Sequence, residues 1–203
     1  FDLLRKCNTY DYVFFDMGPS LGAINRSILL ACDYFITPMS SDVFSLLALG
    51  NIGESIVSWS SQFNAGITNL IQQKQAALHK MRRECKIKFL GYVEQQYITR
   101  TAGGTARAVQ AYDEILKKIP DEIEKNIIKP INFDKCTGID YKIGSIPHFY
   151  SLVPMSQTSH KPIFELTYSD GVVGAHYQKV KQFRELMNQI CERLLQNEEA
   201  LND

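Results

Sequence analysis

The sequence lacks closely spaced cysteines and long hydrophobic runs. Its five cysteines, Cys7, Cys32, Cys85, Cys136 and Cys191, are an odd number, and none belongs to a C-x-x-C motif. This spacing argues against a zinc ribbon, a dithiol redox pair and a secreted disulfide framework, and it is typical of a protein of the reducing cytoplasm. No apolar run reaches the ~18 residues that a membrane-spanning helix needs, so we expect no membrane partner.

The sequence also lacks net charge. Its 22 basic and 22 acidic side chains balance, which argues against an overall basic coat for nucleic acids. With 203 residues, 45% of them hydrophobic, the chain is long enough for one domain with its own core, and we expect a single domain over residues 1–203.

The densest local charge is the basic cluster Lys80, Arg82, Arg83, Lys86 and Lys88, which is either a solvated helix end or a DNA-contacting patch.

One short segment combines a hydrophobic run with a carboxylate. Residues 10–20 read YDYVFFDMGPS, and the run Val13 to Phe15 predicts a strand buried on both faces that ends at Asp16. Ligands bind at the carboxyl ends of the strands in an open α/β sheet, so Asp16 is predicted to lie at that edge. Gly18 and Pro19 delay the next helix and leave a loop that could move with a ligand.

The rest of the chain alternates between strand and helix patterns. Strands are predicted at 34–37, ending before Pro38, at 87–93 and at 141–146. Helices are predicted after Ser20, after Asp42 and past Trp59, over 60–85 as an added exposed element, over 106–128 with Pro120 kinking or splitting it, and from Tyr177 onward. This order predicts a three-layer αβα fold with a mostly parallel sheet.

Two parts of the sequence resemble the ParA/MinD family of partitioning ATPases. The first is continuous from Tyr10 to Ile52 and reads YDYVFFDMGPSLG, AINRSILLAC and DYFITPMSSDVFSLLALGNI. The second comprises the closing landmarks Ile146-Pro147, Ser159 to Ile163, Ser169-Asp170 and Gly174 to Tyr177. The resemblance implies a P-loop NTPase-like fold and an ATPase.

The phosphate-binding loop of that family is missing from the sequence. No G-x-x-x-x-G-K-[ST] motif occurs, and Gly103-Gly104-Thr105, the nearest alternative, has no lysine. In the family this Walker A loop precedes the segment that begins here. We therefore expect the chain to be the downstream part of a longer protein, without its first strand and P-loop, and to be inactive as an ATPase on its own.

The resemblance assigns a magnesium residue and a switch segment. Asp16 corresponds to the Walker B-like residue that holds Mg²⁺ directly or through water, and Gly18 and Pro19 belong to the segment that senses the γ-phosphate of ATP. Gly18 departs from the family, which has a proline there. Considered without the resemblance, Asp16 could instead be the cap of the following helix.

The resemblance also assigns an adenine side to the nucleotide site. Gln95 falls at the end of the 87–93 strand pattern where the family has a small polar residue near the base, and Pro147 and His148 follow the last strand. Gln95 could instead be a solvated polar residue, and His148 a surface-loop histidine.

The implied function is partitioning of a plasmid, a chromosome or other cargo. The intact protein would bind ATP and Mg²⁺, form a homodimer, associate non-specifically with DNA and act with a centromere-binding or cargo adaptor protein. DNA would contact the basic cluster or Lys179, Lys181 and Arg184 of the last helix, which are otherwise simply solvated. The alternative function is a nucleotide-independent protein-binding module that retains the fold.

Two related activities lack their sequence features. A cell-division positioning ATPase would need a membrane-binding amphipathic tail, whereas residues 197–203 are short and acidic. A metal-cluster carrier would need closely spaced cysteines.

Overall fold

The computed structural model describes residues 9–18, 20–72, 84–97, 106–132 and 139–202. The strands are β1 (Tyr34–Ser40), β2 (Lys88–Tyr97) and β3 (Lys142–Pro147). The helices are α1 (Ala23–Ala31), α2 (Val43–Gln72), α3 (Ala106–Ile123), which continues as a π-helix (Glu124–Asn132), α4 (Leu152–Ser159) and α5 (His176–Asn202), with 3₁₀ turns at Ile163–Glu165 and Tyr168–Asp170. Within this described part, no helix is both long enough and apolar enough to cross a membrane.

The three strands form one parallel sheet in the order β1-β2-β3. Their register places Ser40 beside Gln95 and Gln95 beside Ile146, so the carboxyl ends of all three strands lie at one edge. Parallel neighbours require crossover connections, and helices supply them here. The fold is therefore a mixed α/β structure with a parallel sheet flanked by helices, as the sequence predicts, and it is consistent with a P-loop NTPase-like αβα fold.

The sheet has a hydrophobic core on each of its two faces. One face packs with α1, α2, α3 and the π-helix around Phe89, Leu49 and Ile119, none of which is exposed. On the other face, Val93 and Ile143 pack against Ile190 of α5. The spacing of apolar residues in the last helix predicts this docking, and the structure confirms it.

The first predicted strand is absent. Residues 12–18 form no regular secondary structure, Phe14 is 76% exposed and Val13 is 42% exposed. A buried strand needs a hydrogen-bonding neighbour and cover on both faces, yet among the described residues β1 pairs with β2 alone. The prediction of a doubly buried strand ending at Asp16 is wrong for this reason.

Three smaller expectations also need correction. Pro38 lies inside β1, which continues to Ser40, because an edge strand tolerates a residue without an N–H group. The predicted break near residue 60 does not occur, since α2 is continuous from Val43 to Gln72. The sequence favours Ser20 as the cap of the next helix, whereas the structure has Gly22 at the N-cap of α1. Residues 73–83, the remainder of the predicted added helix, lie outside the described residues.

Gly91 allows β2 to fit between its neighbours. The register of the β1–β2 pair shifts between Phe35 and Ile36, opposite this part of β2, and Gly91 has φ +146°. A Cβ atom at Gly91 would lie 2.6 Å from the carbonyl oxygen of Tyr141 and 2.7 Å from Cγ1 of Ile143. Both the backbone conformation and the close packing therefore favour glycine.

Polar contacts fasten the end of α5 to the sheet. The buried amide of Asn197 donates to the carbonyl oxygens of Leu90 and Asp140, each at 2.9 Å. The Tyr34 hydroxyl donates to Asn202 Oδ1 at 2.6 Å, and the Lys88 ammonium group donates to the carbonyl oxygen of Leu201. Three of these four bonds join residues more than 100 positions apart, and together they hold the last turns of α5 against β1 and β2.

Candidate functional site

The loop after β1 is fixed by its own hydrogen bonds. Asp42 Oδ1 accepts the Ser45 N–H at 2.8 Å, and Asp42 Oδ2 accepts the Ser45 hydroxyl at 3.0 Å. The Ser40 N–H donates to Ser45 Oγ at 3.3 Å. Asp42 therefore caps α2, as the sequence predicts, and the polar loop stays at the carboxyl edge of the sheet.

The structure brings the predicted adenine-side residues together. Gln95 in β2 is exposed and lies beside Ile146, so its neighbour in β3 directly precedes Pro147 and His148. His148 Nδ1 accepts the Tyr150 N–H at 2.9 Å, and the two rings lie 4.5 Å apart between centroids. The His148 ring is thus held beside an aromatic ring at the strand edge, and Tyr150 takes φ 45° to make this turn.

The segment carrying Asp16 lies beside the main core. Asp16 is exposed and has no hydrogen-bond or ion-pair partner among the described residues, whereas Met17 packs against the core formed by α1, α2 and the sheet. A free carboxylate is a hard oxygen donor, the ligand type that Mg²⁺ prefers, so its chemistry fits the predicted role. Over the described ranges, no group of three or more histidine, cysteine, aspartate or glutamate residues is placed to hold a metal ion.

Asn25 holds the predicted switch segment in place. Its side-chain amide donates to the Gly18 carbonyl oxygen at 2.9 Å and to the Ser20 carbonyl oxygen at 2.7 Å. These bonds span Pro19, which lies outside the described residues. Sequence reasoning missed Asn25, although an amide in the first turn of a helix that follows a Gly-Pro loop is a recognisable signal for such a bond.

The closing landmarks of the sequence form a polar cluster after β3. Lys161 Nζ donates to both Asp170 carboxylate oxygens at 2.9 and 3.0 Å, and the Thr167 N–H donates to Asp170 Oδ2 at 2.9 Å. The Lys161 ammonium group, followed by the hydrogen bonds from Thr167, lowers the pKa of Asp170 to about 2. These residues therefore order the segment between α4 and α5.

A serine–histidine pair also lies in this region. Ser151 Oγ and His176 Nε2 are 3.2 Å apart, while His176 Nδ1 is buried without a hydrogen-bond partner. A nucleophilic triad needs a third group that orients the imidazole through that nitrogen. No group among the described residues occupies that position at His176 Nδ1, so the pair is not part of a triad there.

The basic residues proposed for DNA contact are partly engaged within the chain. Lys86 pairs with Glu84 at 2.8 Å, and Lys181 lies 3.9 Å from Glu185. Arg184 Nη2 donates to the Phe164 carbonyl oxygen at 2.5 Å, and Lys179 Nζ lies 5.2 Å from the centre of the Tyr150 ring. Lys80, Arg82 and Arg83 lie outside the described residues, as does Gly103-Gly104-Thr105.

Comparison with known proteins supports a nucleotide-binding type of domain. A family model described as AAA domain matches residues 2–73. That segment includes Asp16, the switch segment, β1 and α2. Proteins of this type usually bind a nucleotide with Mg²⁺.

A solved structure is similar over most of the chain. Protein DIP2308 from Corynebacterium diphtheriae shares 27% sequence identity, with a TM-score of 0.52. The similarity covers 74% of this chain and 48% of that protein, so the chain spans about half the length of its structural relative. No curated protein matches the sequence.

Proposed function

We propose that this chain forms the magnesium and adenine side of a ParA-like ATP site. The proposal rests on one observation: the carboxyl ends of β1, β2 and β3 share an edge of the sheet. At that edge Gln95 pairs with Ile146, the residue before Pro147. The family match over residues 2–73 and the continuous resemblance from Tyr10 to Ile52 support it.

Each predicted residue has a role in this proposal. Asp16 holds Mg²⁺, directly or through water, while Gly18 and Pro19 respond to the γ-phosphate, and Asn25 sets the resting position of that turn. Pro147, His148 and Gln95 border the adenine. Phosphoryl transfer needs mainly positioning and charge neutralisation, so the phosphate cradle and its lysine must come from a Walker A loop outside these 203 residues.

The intact protein would then act as a partitioning ATPase. ATP binding would promote homodimer formation and non-specific association with DNA, and slow hydrolysis would move a plasmid, a chromosome or other cargo through a centromere-binding or adaptor protein. We place the protein in the cytoplasm, because its cysteine spacing is typical of a reducing compartment.

The first test is to sequence the gene upstream of the Phe1 codon. We expect a Gly-rich loop with a lysine before Ser or Thr. In the intact protein, Asp16→Asn should then lower Mg²⁺-dependent ATP hydrolysis by about 100-fold, because the metal loses its protein ligand. Hydrolysis is measured as phosphate release under saturating ATP.

Asp11→Asn is the matched control, since Asp11 is also exposed and lies five residues earlier. This variant should hydrolyse ATP at the wild-type rate. The 203-residue chain alone should show no turnover. Turnover by the chain alone that depends on Asp16, or an upstream region without the lysine-bearing loop, would contradict the proposal.

A protein-binding module without nucleotide is the second candidate. It is favoured by large apolar side chains exposed near the starts of α1 and α2, with Phe44 at 82%, Ile24 at 76% and Leu47 at 64% exposure. Phe44 and Leu47 lie three residues apart in α2 and so share one helix face, and apolar residues that share an exposed face can form a contact surface. Under this alternative, Asp16→Ala leaves partner affinity unchanged, whereas Phe44→Ser lowers it.

A further inference from the structure

Asn25, in the first turn of α1, binds the loop that precedes the helix. Its Nδ2 atom donates to the carbonyl oxygen of Gly18 at 2.9 Å and to that of Ser20 at 2.7 Å, and Ser20 Oγ lies 3.5 Å away. Both carbonyl oxygens are acceptors, so the NH₂ end of the amide faces the loop and uses both of its hydrogens there. One side chain therefore ties both sides of the predicted switch segment to α1.

These bonds do not serve as a helix cap. The start of a helix leaves N–H donors without partners, whereas the Asn25 amide supplies further donors and directs them to carbonyl oxygens of the loop. Gly22, the N-cap residue, makes no side-chain cap bond. The amide therefore sets the position of the loop and does not complete the first turn of α1.

Few contacts besides this amide hold Gly18 and Ser20. Met17 packs against the core, whereas Gly18 has open space around its Cβ position. Among the described residues, the Gly18 and Ser20 carbonyl oxygens accept hydrogen bonds from Asn25 alone. Both residues are exposed, so water can take the place of the amide at each oxygen and its release costs little free energy.

We propose that Asn25 is a latch that holds the switch segment in its nucleotide-free position and is released by the γ-phosphate of ATP. This inference rests on the proposed function, in which Gly18 responds to the γ-phosphate. Because the segment must leave Asn25 to make that response, part of the binding free energy of ATP is used to break the two bonds. ADP has no γ-phosphate and leaves the latch closed. Asn25 is thus a positioning residue that sets the difference in affinity between ATP and ADP.

Nucleotide affinities of the intact protein test this proposal. Isothermal titration calorimetry with Mg²⁺ gives dissociation constants for ADP and for AMP-PNP, a non-hydrolysable analogue of ATP. Asn25→Ala should tighten AMP-PNP binding by about three- to tenfold, because the latch no longer has to be broken, and should change ADP binding by less than a factor of about two. A merely structural role would weaken both nucleotides together.

Two further variants separate the latch from the helix. Asn25→Leu has a side chain of similar size without a donor, and it should reproduce the effect of Asn25→Ala. Ser27→Ala is the matched control, because the Ser27 hydroxyl donates to the Ala23 carbonyl oxygen at 2.8 Å, within α1. It should change both dissociation constants by less than a factor of about two. Urea unfolding confirms that each variant is folded.

The side-chain amide signals of Asn25 report on the latch directly. In the nucleotide-free intact protein, both amide hydrogens should exchange with solvent more slowly than those of Asn51, an exposed asparagine in α2. Saturation with AMP-PNP and Mg²⁺ should remove this difference, and saturation with ADP should leave it. An exchange rate that AMP-PNP does not change would overturn the latch.

The latch and the proposed function fail in different ways. If the intact protein binds neither nucleotide, or binds AMP-PNP equally well without Mg²⁺, the proposed function is wrong and the latch with it. If AMP-PNP binds with Mg²⁺ but Asn25→Ala weakens that binding, leaves it unchanged or tightens ADP binding equally, the latch alone is wrong.

Discussion

The ionisation of Asp170 is coupled to the local structure around it. Lys161 and Thr167 together surround its carboxylate with donors, so its pKa in the folded protein is about 2, against ~3.9 for an unfolded aspartate. A depressed carboxyl pKa adds stability that is present above the unfolded pKa and is lost as the pH falls through the folded pKa. The contribution of Asp170 therefore disappears between about pH 4 and pH 2.

Asp170→Asn should abolish this part of the acid sensitivity. The wild type should lose more stability than the variant between about pH 4 and pH 2, and the variant should be the less stable protein at pH 7. Urea unfolding midpoints measured from pH 2 to pH 7 provide the comparison. Asp121→Asn, at an exposed position of α3, should follow the wild-type curve. Parallel curves for wild type and Asp170→Asn would contradict the assignment.

Gly91 should tolerate no side chain. Gly91→Ala forces a residue with a Cβ into φ +146° and against the Tyr141 carbonyl oxygen, so we expect a loss of about 1–3 kcal/mol in the free energy of unfolding. Gly66→Ala is the contrast, because Gly66 lies in α2 with open space around its Cβ position. That variant should gain about 0.5–1 kcal/mol. Urea unfolding of both variants tests the prediction, and equal stabilities would refute it.

At the scale of elements, the end of α5 depends on a buried amide. Asn197→Ala removes two hydrogen bonds and leaves the Leu90 and Asp140 carbonyl oxygens without that donor, so unfolding should become easier by about 1–3 kcal/mol. Gln196→Ala, at the adjacent exposed position, should change stability by less than about 0.5 kcal/mol. Chemical denaturation gives both values. If the two substitutions had the same effect, the buried amide would not fasten the helix.

The elements differ in how well the sequence predicts them. Periodicity predicts α5 and the three strands of the sheet, because each has one clear apolar pattern and a side on which to bury it. Val13 to Phe15 have the composition of a buried strand but no neighbouring strand among the described residues, so composition alone misleads there. The break predicted near residue 60 fails because an irregular apolar pattern does not by itself end a helix.

The sequence predicts the position of some residues of the candidate site but not all of their contacts. Gln95, Pro147 and His148 lie near one another because strand ends in a parallel sheet share an edge, which follows from sequence order. Asn25 was missed although its partners, the carbonyl oxygens of Gly18 and Ser20, are only seven and five residues away, because this bond depends on the path of the loop, which the apolar pattern does not specify.

At the scale of the whole molecule, the C-terminal helix joins the early part of the chain to its end. The C-terminal helix holds β1 and β2 through Tyr34 and Lys88, and Tyr12 donates to Glu198 at 2.8 Å. The segment around Asp16 is attached through Tyr12 on one side and through Met17 and the Asn25 amide on the other. The switch role that we propose for Gly18 and Pro19 requires that the second attachment be released on nucleotide binding without disturbing the sheet.

The outer edge of β1 has a consequence for handling this protein. In the described part of the chain that edge has no strand beside it, and only Pro38 interrupts its row of backbone donors and acceptors. Unpaired edges of this kind recruit strands from other molecules. Concentrated solutions of the chain should therefore be prone to self-association through the outer edge of β1.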